Sequence, residues 1–212
     1  MEIVHDKPEE GHRLNIEGEK GGSLFHHPVT RVIEEDFKRI NEQYERYWKL
    51  IDEAQDERLL ALISALSIED ALDLFLEAYI PKYRHLFKEN KDFTLSMKID
   101  LAYSLCLIPM HILNAADLVR KIRNEFVHNL SIDCFDSLDD DRFKNKLGVR
   151  FKEFYPDDTN TGLTHTEMFK RVVVGIIVAL GIYASHLRTA KEYIYGEDFR
   201  SEFNKRIKGK AS

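Results

Sequence analysis

The feature of this sequence that most constrains its fold is an amphipathic run that ends in a short polar element. Between residues 112 and 126, apolar side chains recur every three or four positions, which is the spacing of one face of an α-helix. These residues are Ile112, Ala115, Val119, Ile122 and Phe126. The run predicts a helix with one buried face, and its polar end holds Arg123, Asn124 and His128.

Two of these polar residues cannot act together from one straight helix. Arg123 borders the apolar face, whereas Asn124 and His128 lie four residues apart on the polar side, close to Asp117 and Lys121. Arg123 and His128 are five residues apart and therefore point in different directions. We expect either that the helix ends near His128 or that a second copy of the chain supplies the missing partner.

The other helices follow from periodicity and from the positions of helix breakers. Only five prolines and ten glycines occur in 212 residues, which favours long uninterrupted helices. We predict helices over residues 30–55, 57–80, 95–108 and 164–195, and a short amphipathic helix over 197–207. The last long helix opens on Thr164 and Glu167, which have the spacing of a capping box. The pattern assigns no structure type to residues 142–155.

These elements predict an all-α fold, an up-and-down helical bundle with an extra N-terminal helix. We expect residues 1–28 to be a flexible tail, residues 29–195 to form a single helical domain and residues 196–212 to be a C-terminal appendage. The apolar run at residues 172–184 is shorter than the roughly 20 residues that a membrane span needs. It is therefore expected to be a central helix buried on all sides, and no association with a membrane is expected.

Charge and cysteine content indicate the compartment and exclude one class of function. The formal net charge of −6 argues against a protein that coats nucleic acid by bulk electrostatics, although it leaves room for a small basic cleft. Two cysteines are too few for a disulfide framework. The charged N-terminal residues do not have the pattern of a signal peptide. A cytoplasmic protein with reduced thiols is expected.

Residues 123–128, Arg-Asn-Glu-Phe-Val-His, fit the Arg-x4-His signature of the HEPN superfamily. Upstream, residues 95–99 and 105–108 resemble the branch of that superfamily that contains the mannitol operon repressor. The resemblance implies a HEPN-like bundle that pairs with a second copy, so that two Arg-x4-His elements meet across a two-fold axis. It also implies a metal-independent endoribonuclease of toxin or defence type, with no cofactor and no metal.

The chemistry that the resemblance implies assigns a role to each residue. His128 would transfer protons as the 2′-hydroxyl of RNA attacks phosphorus, and Arg123 would hold the phosphate oxygens. Asn124 could orient the imidazole or bind a phosphate oxygen. The supporting or RNA-binding candidates are Arg120, Lys121, Glu69 and Asp73. The expected partners are RNA and a second copy of the chain, and an antitoxin or regulatory protein is a further candidate.

Two structural alternatives stand beside catalysis. His128 could cap the carbonyl groups at the end of its helix, and Arg123 could pair with Glu69 or Asp73 of the second helix. The likeness to the mannitol operon repressor itself points to a non-catalytic, partner-binding regulator. An Arg123–His128 pair that is buried or separated would favour that regulator.

Overall fold

The helices of the chain account for most of its described length. The computed structural model describes residues 38, 42, 45–83, 85, 87, 93–159 and 162–208, with side chains described as far as residue 191 in the last helix. Within these residues lie α1 (45–53), α2 (Glu57–Tyr79), α3 (Leu95–Ser104), α4 (Met110–His128), α5 (Asn145–Phe154) and α6 (His165–Lys208). The described residues contain no β-strand, so the prediction of an all-α fold is confirmed. The predicted tail, residues 1–28, lies outside them.

Helix α2 is the centre of the bundle, and α6 packs along its whole length. Asp56 caps the first turn of α2 by accepting a hydrogen bond from the Leu59 amide at 2.8 Å. At the start of α2, Glu57 accepts a hydrogen bond from the Thr166 hydroxyl. At its end, Lys191 donates to the carbonyl oxygen of Tyr79 at 2.9 Å. These contacts at both ends show that α2 and α6 run parallel.

Helix α4 ends where α2 and α6 begin, so it is antiparallel to both. Arg58 near the start of α2 donates a 2.6 Å hydrogen bond to the carbonyl oxygen of Leu130, just beyond α4. At the same end of the bundle, three buried aromatic rings form a chain of edge-to-face and tilted contacts from α4 to α6. The centroids of Phe126 and Phe135 are 5.2 Å apart, and those of Phe135 and Phe169 are 4.6 Å apart. The predicted end of this helix near His128 is confirmed.

Helix α1 runs back along α2 and also contacts α6. The Tyr47 hydroxyl donates to Asp70 of α2 at 2.7 Å, and Ile51 is fully buried. Lys170 of α6 donates to the carbonyl oxygen of Asp52 at 3.1 Å. The described part of α1 agrees with the predicted N-terminal helix, although it ends at residue 53 and not at residue 55. Residues 30–37, 39–41, 43 and 44 of that prediction are outside the described ranges.

Helix α3 is shorter than predicted. The apolar residues 105–108 suggested a helix up to Ile108, but α3 ends at Ser104. Cys106 adopts a φ of 54°, which a right-handed helix does not allow. Pro109 follows, and because a residue before proline avoids helical geometry, residues 105–108 form the turn into α4.

Two other segments also differ from expectation. The unassigned residues 142–155 lie mostly in a π-helical turn, Asp140–Lys144, followed by α5. Helix α6 is continuous to Lys208, so the prediction of a separate helix over 197–207 is wrong. A single glycine costs a helix only about 1 kcal/mol, so Gly196 does not interrupt it.

The apolar run of α6 is buried on one side only, which corrects the prediction that it is buried all round. Its inward face is a set of fully buried residues at helical spacing: Phe169, Val172, Val173, Ile176 and Leu180. Ile182, on the other side, is 39% exposed. In the described residues this helix, over His165–Lys191, is the one whose length and composition would allow a membrane crossing, a property that soluble core helices share.

The close contact between α5 and α6 gives a test of the packing. A β-carbon added at Gly175 would lie 2.7 Å from Cδ1 of the Phe154 ring. We expect Gly175→Ala to lower the free energy of unfolding by about 1–2 kcal/mol, because overpacking outweighs the better helix propensity of alanine. Gly148 of α5 has no atom within 4 Å of such a carbon. Gly148→Ala, the control, should stabilise the protein by about 0.5–1 kcal/mol in the same urea unfolding measurement.

Candidate functional site

The end of α4 carries the predicted site, and its backbone is regular up to the last residue of the helix. Asn129 closes the helix by donating its amide to the carbonyl oxygen of Glu125 at 2.9 Å. His128 is exposed, and its side chain makes no hydrogen bond or ion pair with the described residues. The alternative in which the His128 side chain bonds the last carbonyl groups is therefore not seen in this part of the chain.

Arg123 and His128 point in different directions. In an α-helix each residue turns by about 100°, so a separation of five residues places these side chains about 140° apart. Arg123 is half-buried, next to the fully buried Ile122, and its Nε has no hydrogen-bond partner among the described residues. The two residues of the Arg-x4-His element are therefore not brought together within one chain.

The neighbouring basic residues of α4 are paired within their own helix. Arg120 donates two hydrogen bonds to Oδ1 of Asp117, at 2.9 Å from Nε and 2.7 Å from Nη2. Lys121 lies 2.6 Å from Oδ2 of the same carboxylate. Partial burial raises the pKa of Asp117, but the bonds from Lys121 and Arg120 outweigh it and leave that pKa below its usual value. Asp117 thus offsets part of the positive charge beside Arg123 and the half-buried Asn124.

Glu69 and Asp73 belong to a different cluster. Lys98 of α3 lies 2.7 Å from Glu69 and 2.9 Å from Asp73, and the Tyr83 hydroxyl donates to Asp73 at 2.7 Å. Burial lowers the pKa of Lys98, but the two carboxylates outweigh it and raise that pKa. Burial and the bond to Asp73 raise the pKa of the Tyr83 hydroxyl.

The position of this cluster separates it from His128. Glu69 is about 16 Å along α2 from Arg58, the residue that contacts the end of α4. The alternative in which Arg123 pairs with Glu69 or Asp73 is not realised, because Lys98 occupies both carboxylates. The sequence contained a signal for this lysine, since Lys98 lies on the same helical face as Leu95, Ile99 and Ala102, all of them buried.

Sequence reasoning missed an exposed apolar surface next to the end of α4. Helix α2 presents three leucines to solvent at positions 59, 62 and 66, between 41% and 55% exposed, and Leu130 beyond α4 is 81% exposed. The bond from Arg58 to Leu130 joins these two parts. The Asp52 carboxylate of α1 lies 3.9 Å from Lys170 of α6, and Leu50, two residues earlier, is turned about 160° away from it. We call this set the leucine surface: Leu50, Leu59, Leu62, Leu66, Val127 and Leu130.

Comparison with known proteins identifies no relative. No protein-family model, no curated protein and no solved structure matches the chain. The HEPN-like arrangement, the two-fold pairing and the cytoplasmic location therefore stay predictions. Among the described residues, no group of three or more histidine, cysteine or acidic side chains is arranged to hold a metal ion.

The Lys98 cluster predicts that Asp73 has a structural role. Asp73→Asn removes one charge from a buried ion pair and weakens the acceptor for Tyr83. We expect the free energy of unfolding to fall by about 3 kcal/mol, the usual cost of breaking such a pair. Thermal and urea unfolding measure this loss. An equal loss should not follow Asp117→Asn, because that carboxylate is more exposed. Unchanged stability in Asp73→Asn would show that the cluster does not hold α3 against α2.

Proposed function

We propose that this chain is a non-catalytic helical protein that binds a protein partner through the leucine surface. A non-catalytic, partner-binding regulator is also what the resemblance to the mannitol operon repressor branch implies. One observation carries the proposal, namely the exposure of six large apolar side chains on three adjacent parts of the bundle. Apolar residues exposed singly are ordinary, but Leu59, Leu62 and Leu66 lie within two turns on one face of α2, and neighbouring exposed apolar side chains mark a site of interaction.

The charged residues near the leucine surface also support binding rather than catalysis. Proton transfer requires the acid or base to lie within hydrogen-bonding reach of the reacting atoms. Because Arg123 and His128 diverge by about 140° around α4, the two side chains face different sides of the helix, which favours binding over catalysis by a single chain. Arg123 instead lies one helical turn before Val127 of the leucine surface, so a partner bound there could supply an acceptor for its guanidinium group.

A photo-cross-linking amino acid placed at position 62 tests this proposal in cells that produce the protein. We expect adducts with a protein, because Leu62 is the middle one of the three exposed leucines of α2. The same amino acid at position 149 is the control, since Val149 is 51% exposed but belongs to α5, away from the surface. If both positions gave the same adducts or none, the leucine surface would not be a binding site.

A second function, a metal-independent endoribonuclease of toxin or defence type, is favoured by the state of His128. This imidazole is exposed and unpaired among the described residues, and the Arg123 guanidinium likewise makes no ion pair there. Such groups are available for proton transfer and for binding a phosphate. In this proposal a second chain must supply the complementary residue, and RNA is the substrate.

The second function makes a prediction that the first does not. The purified protein should cut single-stranded RNA in excess EDTA and leave 2′,3′-cyclic phosphate ends, whereas DNA should survive because it lacks the 2′-hydroxyl. His128→Ala should abolish the cutting and shift the free energy of unfolding by less than about 0.5 kcal/mol, as expected for a surface residue. Arg123→Lys should cut poorly, because an ammonium group loses the forked contact with two oxygens. Intact RNA in every assay would refute the endoribonuclease proposal, and only the partner-binding proposal would remain.

A further inference from the structure

A row of four residues on α2 is self-complementary, which means that it matches a second copy of itself placed antiparallel. Arg58, Leu62, Leu66 and Asp70 follow each other at intervals of four, so they form one ridge along the outside of the helix. The ends of the ridge carry opposite charges, and its middle is two exposed leucines. Turned end to end about the point midway between Leu62 and Leu66, the ridge places arginine on aspartate and leucine on leucine.

We infer that the leucine surface is a two-fold interface between two copies of this chain, in which their α2 helices pack antiparallel. Leu62 of one copy packs on the partner's Leu66, and Arg58 pairs with the partner's Asp70. This inference rests on the proposed function and specifies its partner. An isologous contact requires such self-complementarity, because each residue meets the symmetry-related position of an identical surface.

Both charged residues retain bonding capacity for this contact. Arg58 uses Nη2 for the carbonyl oxygen of Leu130, and a guanidinium group has five N–H donors in all. Asp70 is exposed and accepts the Tyr47 hydroxyl on Oδ2, which leaves Oδ1 without a bond to the described residues. An Arg58–Asp70 pair between copies therefore forms without breaking a contact inside either chain.

The helices beside α2 extend the same interface. Each step of four residues turns the ridge by about 40°, so it crosses the surface of α2 from the side of α4 to the side of α1. Arg58 accordingly contacts Leu130, and Asp70 contacts Tyr47 of α1. The two-fold axis lays the end of α4 on the partner's α1 and covers Val127, Leu130 and Leu50. In this arrangement a single two-fold rotation brings all six members of the leucine surface into the interface.

This arrangement differs from the pairing that the HEPN resemblance implies. The α4 helices lie on opposite sides of the α2 pair, so the two Arg-x4-His elements do not meet across the axis. A dimer of the HEPN type would join the ends of the two α4 helices, whereas the dimer inferred here joins the two α2 helices.

Sedimentation of the purified full-length protein tests the interface. We expect a dimer at micromolar concentration, and a dissociation constant at least about tenfold higher for Leu62→Glu, which places a carboxylate on the partner's Leu66. Val149→Glu should leave the dissociation constant unchanged. A monomeric wild-type protein, or equal effects of the two variants, would overturn the inference.

A charge exchange identifies the partner as a second copy. Arg58→Asp and Asp70→Arg should each weaken the dimer, since each places like charges opposite one another. The double variant should regain most of the affinity, because the pair is restored with its signs exchanged. Circular dichroism checks that all three proteins remain folded. If one of them is unfolded, Leu66→Glu is measured in its place, since it also disrupts the proposed interface. Lack of rescue in a folded double variant would refute the antiparallel register.

The failure of this inference is distinguishable from that of the proposed function. Adducts at position 62 with a different protein, together with a monomeric purified chain, would refute the two-fold interface and still support the binding function. If position 62 gave no adduct and the purified protein formed no dimer, both the two-fold interface and the binding function would be refuted.

Discussion

The hydrogen bonds of Glu57 join the parts of the chain on which the rest of the structure depends. This carboxylate, in the first turn of α2, accepts the backbone amide of Phe135 and the hydroxyl of Thr166. Acidic side chains are favoured in the first turn of a helix by its dipole, so the same group stabilises α2 and fixes two distant segments. The aromatic contacts of Phe135 with Phe126 and Phe169 then bring the end of α4 to the start of α6. The position of the leucine surface relative to Arg123 and His128 follows from this junction.

Most charges near the predicted site are balanced locally, and this determines what the surface offers to a partner. Asp117 holds Arg120 and Lys121, and Lys98 holds Glu69 and Asp73. Paired groups contribute little long-range field, so α4 does not present a run of free cations to RNA. Among the described residues, the end of α4 therefore offers an unpaired imidazole, a half-buried guanidinium group and an apolar surface.

Sequence periodicity predicted those elements whose buried faces are long. The bounds of α2 and the end of α4 agree closely with expectation, and the Thr164 capping box is present, with the Glu167 amide donating to Thr164 Oγ1 at 3.2 Å. Helix α5 escaped prediction because only Leu147 and Phe151 are buried in its ten residues. The leucine surface could not be foreseen, since periodicity identifies apolar residues but not which of them other helices leave uncovered. The division between Arg123 and His128 was predictable from spacing alone.

The contact of Lys191 with the end of α2 has a mechanical consequence for the last helix. Lys191 donates to the carbonyl oxygens of Ala78 and Tyr79, which supplies the positive charge that the last turn of α2 lacks. Helix α6 runs parallel to α2 and continues to Lys208, so about 25 Å of helix extends beyond this contact. Lys191 is the last residue of α6 whose side chain is described, and its ammonium group joins the two helices at this end. Loss of this group would therefore leave the last two carbonyl oxygens of α2 without their cation and would loosen α6 from α2 at the end far from the leucine surface.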